Sequence, residues 1–167
     1  MMDYDFDESY RKHSRRILAL CRYLLKSADE AEDATHEVFV RAYEKRSTID
    51  HSKSCLNWLL KIATNHCLDR LRRSSSEARL FETADLDRVG PSRVSEDTLE
   101  YLVQAEKGES VRSAVQSLPE KYRVPLVLAY YNQFTYDEIG NALGLKRNTV
   151  ATLLFRAKQQ LRKELAE

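Results

Sequence analysis

The chain has 167 residues, 27 Lys plus Arg against 26 Asp plus Glu, a formal net charge of +1 and a pI near 7.7. That total falls short of the basic footprint, pI above ~9, of an isolated nucleic-acid-binding domain. Yet charged residues make up 32% of the chain, against ~25% in an average domain, so the charges are abundant and cancel.

Four Gly and three Pro are too few for a many-turned sheet, and abundant Leu, Ala, Glu, Lys and Arg favour an all-α fold. No apolar run approaches the ~20 residues of a membrane span, and the acidic start lacks the apolar core of an ordinary signal peptide. Cys21, Cys55 and Cys67 have no CxxC spacing and cannot all pair within one chain, which suits a reducing compartment. These features imply a cytoplasmic protein with no direct membrane insertion.

Charge divides the chain into three blocks. Residues 1–73 carry 14 basic and 12 acidic side chains, residues 74–110 carry 4 and 9, and residues 111–167 carry 9 and 5. Two basic ends therefore flank an acidic middle. In the first block, Ser27-Ala28-Asp29-Glu30 has the S-x-x-E spacing of a capping box, which opens a helix. Ala31, Ala34, Val38 and Ala42 then form one apolar stripe, with Glu30, Asp33, Glu37 and Glu44 on another face. A further helix is expected from Leu56 to about Arg73. Leu56, Leu59 or Leu60, Ala63, Cys67 and Leu71 form its buried side, and Lys61, Asn65, Asp69 and Arg73 stack at i, i+4 opposite.

The middle block opens with three serines, carries Gly90-Pro91 near its centre and shows weak periodicity until Leu99 to Ala105. It reads as a flexible acidic linker with at most one short helix.

The last block holds the most informative run. Thr135-Tyr136-Asp137-Glu138 is a second capping box. Ile139, Gly140, Leu143, Gly144, Leu145, Val150 and Leu153 then fall where a helix-turn-helix needs small residues at a close crossing, a positive-φ turn and apolar contacts that fix the angle. The second helix can then enter a DNA major groove. Its periodicity buries Val150, Leu153, Leu154, Ala157, Leu161 and Leu165. The opposite surface presents Asn148, Thr152, Phe155, Arg156, Gln159 and Lys163, flanked by Arg147, Lys158 and Arg162.

Read together, the two ends resemble a known family. Residues 29–43, 57–65 and 69–73 resemble region 2 of bacterial sigma factors. Ser117-Leu118-Pro119-Glu120, Tyr136-Asp137-Glu138-Ile139-Gly140 and Phe155-Arg156-Ala157-Lys158 resemble region 4. Possession of those two regions alone resembles the extracytoplasmic-function (ECF) group of the sigma-70 family. The resemblance implies region 2 at 5–73, a linker at 74–110 and region 4 at 111–166. It implies core RNA polymerase as partner for Asp33, Glu37, Val38, Phe39 and Arg41, and the minus-10 promoter element as target of Lys61, Asn65, Arg70, Arg72 and Arg73, with Asn65 bordering a flipped base. Arg147, Asn148, Thr149, Thr152, Phe155, Arg156 and Lys158 would meet the minus-35 element, and Leu118, Tyr122 and Val127 the polymerase flap. An anti-sigma factor is a further implied partner. The chain departs from the family at Ala151 and Leu153, where basic residues are common, and at Lys146, where Ser is.

Two rival readings remain. A stand-alone helix-turn-helix transcriptional regulator accounts for residues 135–165 alone. A metal sensor would need His51, Cys55, His66 and Cys67 to converge, but adjacent helical residues diverge by ~100°. No catalytic residue, metal or cofactor is assigned.

Overall fold

The computed structural model describes residues 5–50, 54–74 and 109–166. The chain divides into two units, Met1–Ala78 and Arg79–Glu167. All but the edges of the expected acidic linker, with the short helix expected in it, lies outside the described residues. Among the described residues the secondary structure is helical, and no helix is long and apolar enough to cross a membrane.

The first unit packs three helices pairwise: α1 (Phe6–Leu25), α2 (Ala28–Glu44) and α3 (Cys55–Ser74), with a 3-10 turn at Arg46–Thr48. Asp5 caps α1 by accepting the Glu8 N–H, and Lys26 ends it in the left-handed conformation at φ 67°. Ser27 then opens α2 by accepting the Glu30 N–H at 3.3 Å. The α2 stripe of Ala31, Ala34, Val38 and Ala42 is wholly buried. Three small alanines on that stripe let the neighbouring helices approach closely, and Ile17, Leu20 and Leu24 of α1 and Leu59, Ala63 and Leu71 of α3 fill the core. Each such Leu contributes roughly 1.5–3 kcal/mol when removed from water.

The second unit comprises α4 (Glu109–Ser117), α5 (Glu120–Tyr131), α6 (Tyr136–Leu143) and α7 (Arg147–Ala166). Every residue of α5 from Tyr122 to Leu128 is buried, including Pro125 and Arg123. The buried Arg123 guanidinium is accommodated because Nη1 donates to Leu118 O at 3.0 Å and Nη2 lies 3.8 Å from Glu120. α7 packs against α4, α5 and α6. Its end is tied to α4 by a hydrogen bond from Ser117 Oγ to the Glu164 carboxylate.

Candidate functional site

In the first unit, α3 presents Lys61, Asn65, Asp69, Arg72 and Arg73 to solvent, the expected outward strip. Arg72 pairs with Asp69 at 3.5 Å. Arg70 is different. It is half-buried, and its Nη1 donates to the backbone carbonyl of Glu30 at 3.1 Å, a tie from α3 to the start of α2.

Burial on α3 is broader than the single stripe expected. Ile62, Thr64, His66 and Leu68 are buried as well, because the helix is covered by both α1 and α2. His66 is 7% exposed and its Nε2 has no hydrogen-bond partner. Burial holds its pKa below the usual histidine value, and Arg41 and Arg70 depress it further against Glu37 and Asp69.

On α2, Asp33 is exposed, and half-buried Glu37 and Arg41 pair at 3.7 Å. Val38 and Phe39, which the family resemblance places at the polymerase surface, are 0% and 1% exposed. They belong to the core, since Val38 lies on the Ala31–Ala42 stripe and Phe39 meets the Tyr10 ring edge-on at a centroid distance of 4.9 Å.

Sequence periodicity missed what lies beside them. Tyr10, Val40 and Tyr43 are exposed large hydrophobics at 45%, 37% and 50%. A groove of about 560 Å³ runs between Phe6 and Tyr10 of α1 and His36, Phe39 and Val40 of α2. The signal in the sequence is Phe6 and Tyr10 at i, i+4 in the first turns of α1, which meet Phe39 and Tyr43 at the same spacing on α2.

The helix-turn-helix of the second unit has the expected joints. Thr135 Oγ1 accepts from the Glu138 N–H at 3.1 Å, and Glu138 Oε1 accepts from the Thr135 N–H at 3.2 Å. Gly144 ends α6 at φ 72°, a conformation that glycine adopts without steric cost. The Leu145 N–H donates to Gly140 O at 2.8 Å, and a Cβ on Gly140 would lie 2.5 Å from Leu145 O. Gly140 of α6 therefore lies against the backbone of the turn where only hydrogen fits.

The outward face of α7 is narrower than periodicity implies. Arg147 and Asn148 are exposed, and Arg147 reaches Asp137 at 3.4 Å. Thr149, Phe155 and Arg156 are half-buried. Thr152 is only 2% exposed and donates to Asn148 O at 3.1 Å. Lys158 is 5% exposed, and its Nζ lacks a hydrogen-bond partner. Its burial, reinforced by Arg162, pushes its pKa down to about 8. A helix in contact with three others has less than one free side, which draws Thr152 and Lys158 inward.

The departures Ala151 and Leu153 are also buried, at 7% and 0%, as are the residues assigned to the flap, Leu118, Tyr122 and Val127, at 1%, 6% and 2%. The last three belong to the core of their own unit. Farther along α7, Arg156, Arg162, Lys163, Gln159 and Gln160 line a groove of about 480 Å³ with Tyr122 of α5, three cations without a carboxylate.

The chain matches two family descriptions in order: Sigma-70 region 2 over residues 9–77 and Sigma-70, region 4 over residues 108–161. It is 32% identical over 157 residues to the ECF RNA polymerase sigma factor SigW of Bacillus subtilis, covering 91% of this chain and 84% of that protein. It is 28% identical over 156 residues to SigM of the same organism, covering 93% and 92%. Among solved structures, the sigma factor RpoE of Bartonella quintana, crystallised with the anti-sigma factor NepR, superposes with a TM-score of 0.64. That alignment has 18% identity over 97% of each chain and is a likeness of fold.

Proposed function

The chain belongs to the extracytoplasmic-function group of the sigma-70 family, and we propose that its two helical units perform the two halves of promoter recognition. As an ECF sigma factor it binds core RNA polymerase and directs it to start transcription at specific promoters. Phosphodiester chemistry then belongs to the polymerase, with this chain acting as a non-catalytic, cytoplasmic specificity subunit.

The observation that carries the residue assignment is the exposed strip on α3. Asn65 lies at its centre and Lys61, Arg72 and Arg73 along its length, on a helix whose other sides are packed. A base leaving the duplex costs only a few kcal/mol of unstacking and unpairing, which a side-chain pocket and cationic phosphate contacts can offset without ATP. Asn65 has the donor and acceptor needed at such a base, and Lys61, Arg72 and Arg73 supply the phosphate contacts.

On the polymerase side, Asp33, Glu37 and Arg41 offer the charged contacts and Tyr10, Val40 and Tyr43 the apolar ones. Upstream, the exposed start of α7, Arg147 and Asn148 with Thr149, reads the minus-35 element in the major groove. Phe155 and Arg156 flank it. Burial of Thr152 and Lys158 argues for phosphate and base contacts concentrated at the helix start, in keeping with recognition helices whose N-terminal residues touch base edges. The ECF relatives and the RpoE neighbour support an anti-sigma factor as the partner that restrains the chain. The low net charge implies weak binding to promoter DNA without polymerase.

The test is run-off transcription with core polymerase on genomic fragments. Defined start sites that depend on this chain are expected. Absence of core association and of transcripts, or tight specific binding to duplex DNA by the chain alone, would favour the stand-alone regulator.

A further inference from the structure

Two thiols that no recognition role uses meet inside the first unit. Cys21 of α1 and Cys67 of α3 are both 0% exposed, and the Cys67 S–H donates to Cys21 Sγ at 3.6 Å. The third thiol stands apart. Cys55 is half-buried against Ser9, at the other end of α3, twelve residues or about 18 Å of helix from Cys67. Two sulfurs at 3.6 Å need to close by only about 1.6 Å to reach a disulfide bond length of ~2.05 Å.

The geometry points to Cys21 and Cys67 as an oxidisable dithiol, a modification site for a peroxide, whose disulfide ties α1 to α3 and lowers promoter opening. This rests on the reading of α3 as the promoter-facing helix. The two sulfurs are not equivalent. Cys67 donates the hydrogen bond that pulls the Cys21 pKa down against the opposing effect of burial, with Thr35 and Arg70 adding to it, whereas that bond and burial both raise Cys67. Cys21, the acceptor in that bond, is assigned the first attack, once the helices part enough to admit a small oxidant.

In the first step Cys21 Sγ⁻ attacks one oxygen of hydrogen peroxide, the O–O bond breaks, and the departing hydroxide takes a proton to leave water. The product is Cys21 sulfenic acid. Cys67 Sγ then displaces the sulfenic hydroxyl and loses its own proton, and a second water leaves as the S–S bond forms. In sum, two thiols and one peroxide give one disulfide and two waters.

Cys67 lies between Asn65 and Arg70 on the same helix, and Arg70 holds Glu30 O at 3.1 Å. Any share of the sulfur–sulfur closure beyond ~0.5 Å that the helices themselves take up exceeds the tolerance of a working site. The cross-link also joins residues 46 apart and so restricts the unfolded chain. It should raise the thermal midpoint by about 10 °C. Stability and activity then move in opposite directions, which oxidative damage does not produce.

The experiment treats the full chain with hydrogen peroxide beside its Cys55→Ser and Cys67→Ser variants. Expected are a mass loss of two hydrogens, a peptide linking Cys21 to Cys67, a higher thermal midpoint and about tenfold less promoter opening with core polymerase. Dithiothreitol should reverse all of these, and Cys67→Ser should not respond. Oxidation confined to Cys55, or a linked pair with unchanged opening, would overturn the proposal. Should Cys67→Ser not fold, peptide mapping on Cys55→Ser decides between the same outcomes. Failure of the reduced protein to open promoters would instead overturn the sigma reading, because mapping the bond needs no polymerase.

Discussion

In the first unit the polar strip runs along the flank of α3, from Lys61 to Arg73, whereas in the second α7 is exposed at its first turn and again at Gln159 and from Arg162 to Glu164, with residues 149–158 buried or half-buried between. Both helices have 20 residues. α3 is covered by two neighbours and α7 by three. A helix with two neighbours keeps a continuous outer side, suited to a strand laid along it, whereas one with three is left exposed at its two ends, the first of them suited to insertion into a groove. The number of packing partners, more than the polarity of the sequence, thus determines the shape of each recognition surface.

The most damaging way to break the comparison is Gly140→Ala. The added Cβ meets Leu145 O at 2.5 Å, a backbone atom that cannot rotate away as a side chain would. The second unit should lose about 3 kcal/mol, seen as an early melting phase in calorimetry, while the first unit melts unchanged. A single unshifted transition would show that the turn yields to a methyl group.

Next in size, Asn65→Ala should cut promoter opening by about tenfold and leave core binding unaltered, measured by permanganate footprinting beside a polymerase pull-down. Equal loss in both assays would mean that the strip is not a separate surface.

A smaller effect separates the units by pH. Lys158 has a folded pKa of about 8 against an ordinary 10.5, so its charged form opposes folding. The second unit should gain stability as pH rises from 8 towards 10.5, and Lys158→Met should raise its melting point by a few degrees at neutral pH and abolish that gain. A variant that melts lower would show that the amine has a favourable partner.

The smallest effect is the opposite limb in the first unit. The His66 pKa is depressed below 6.5, so the neutral ring is the stable one. Stability present above pH 6.5 should fall as pH drops from there towards the folded value, and His66→Gln should flatten the decline in an acid titration of the melting point.

Much of this arrangement is legible in the residues. Both capping boxes announce their helices, with Thr135 and Glu138 forming the reciprocal pair and Ser27 receiving Glu30. The i, i+4 series from Lys61 to Arg73 identifies the outer side of α3, and Gly144 identifies the turn.

Periodicity reports the direction of one buried side but not how many neighbours cover a helix. It therefore placed Thr152 and Lys158 outside, and passed over Ile62 and His66. Family resemblance carried Val38 and Phe39 to the surface because a motif aligns residue types without their facing. The exposed aromatic patch escaped notice because Tyr10 and Tyr43 lie on different helices, and only packing brings them to one side.

The hydrogen bond from Arg70 to Glu30 O has a thermodynamic consequence for promoter binding. The bond engages one of the five guanidinium N–H donors, so Arg70 serves a phosphate only where the remaining donors reach it from that anchored position. Replacing Arg70 would then lower affinity by less than replacing the exposed Arg73, although it carries the same charge. It would also remove a tie between α3 and the start of α2, so Arg70 holds the register of the two helices as well as carrying charge.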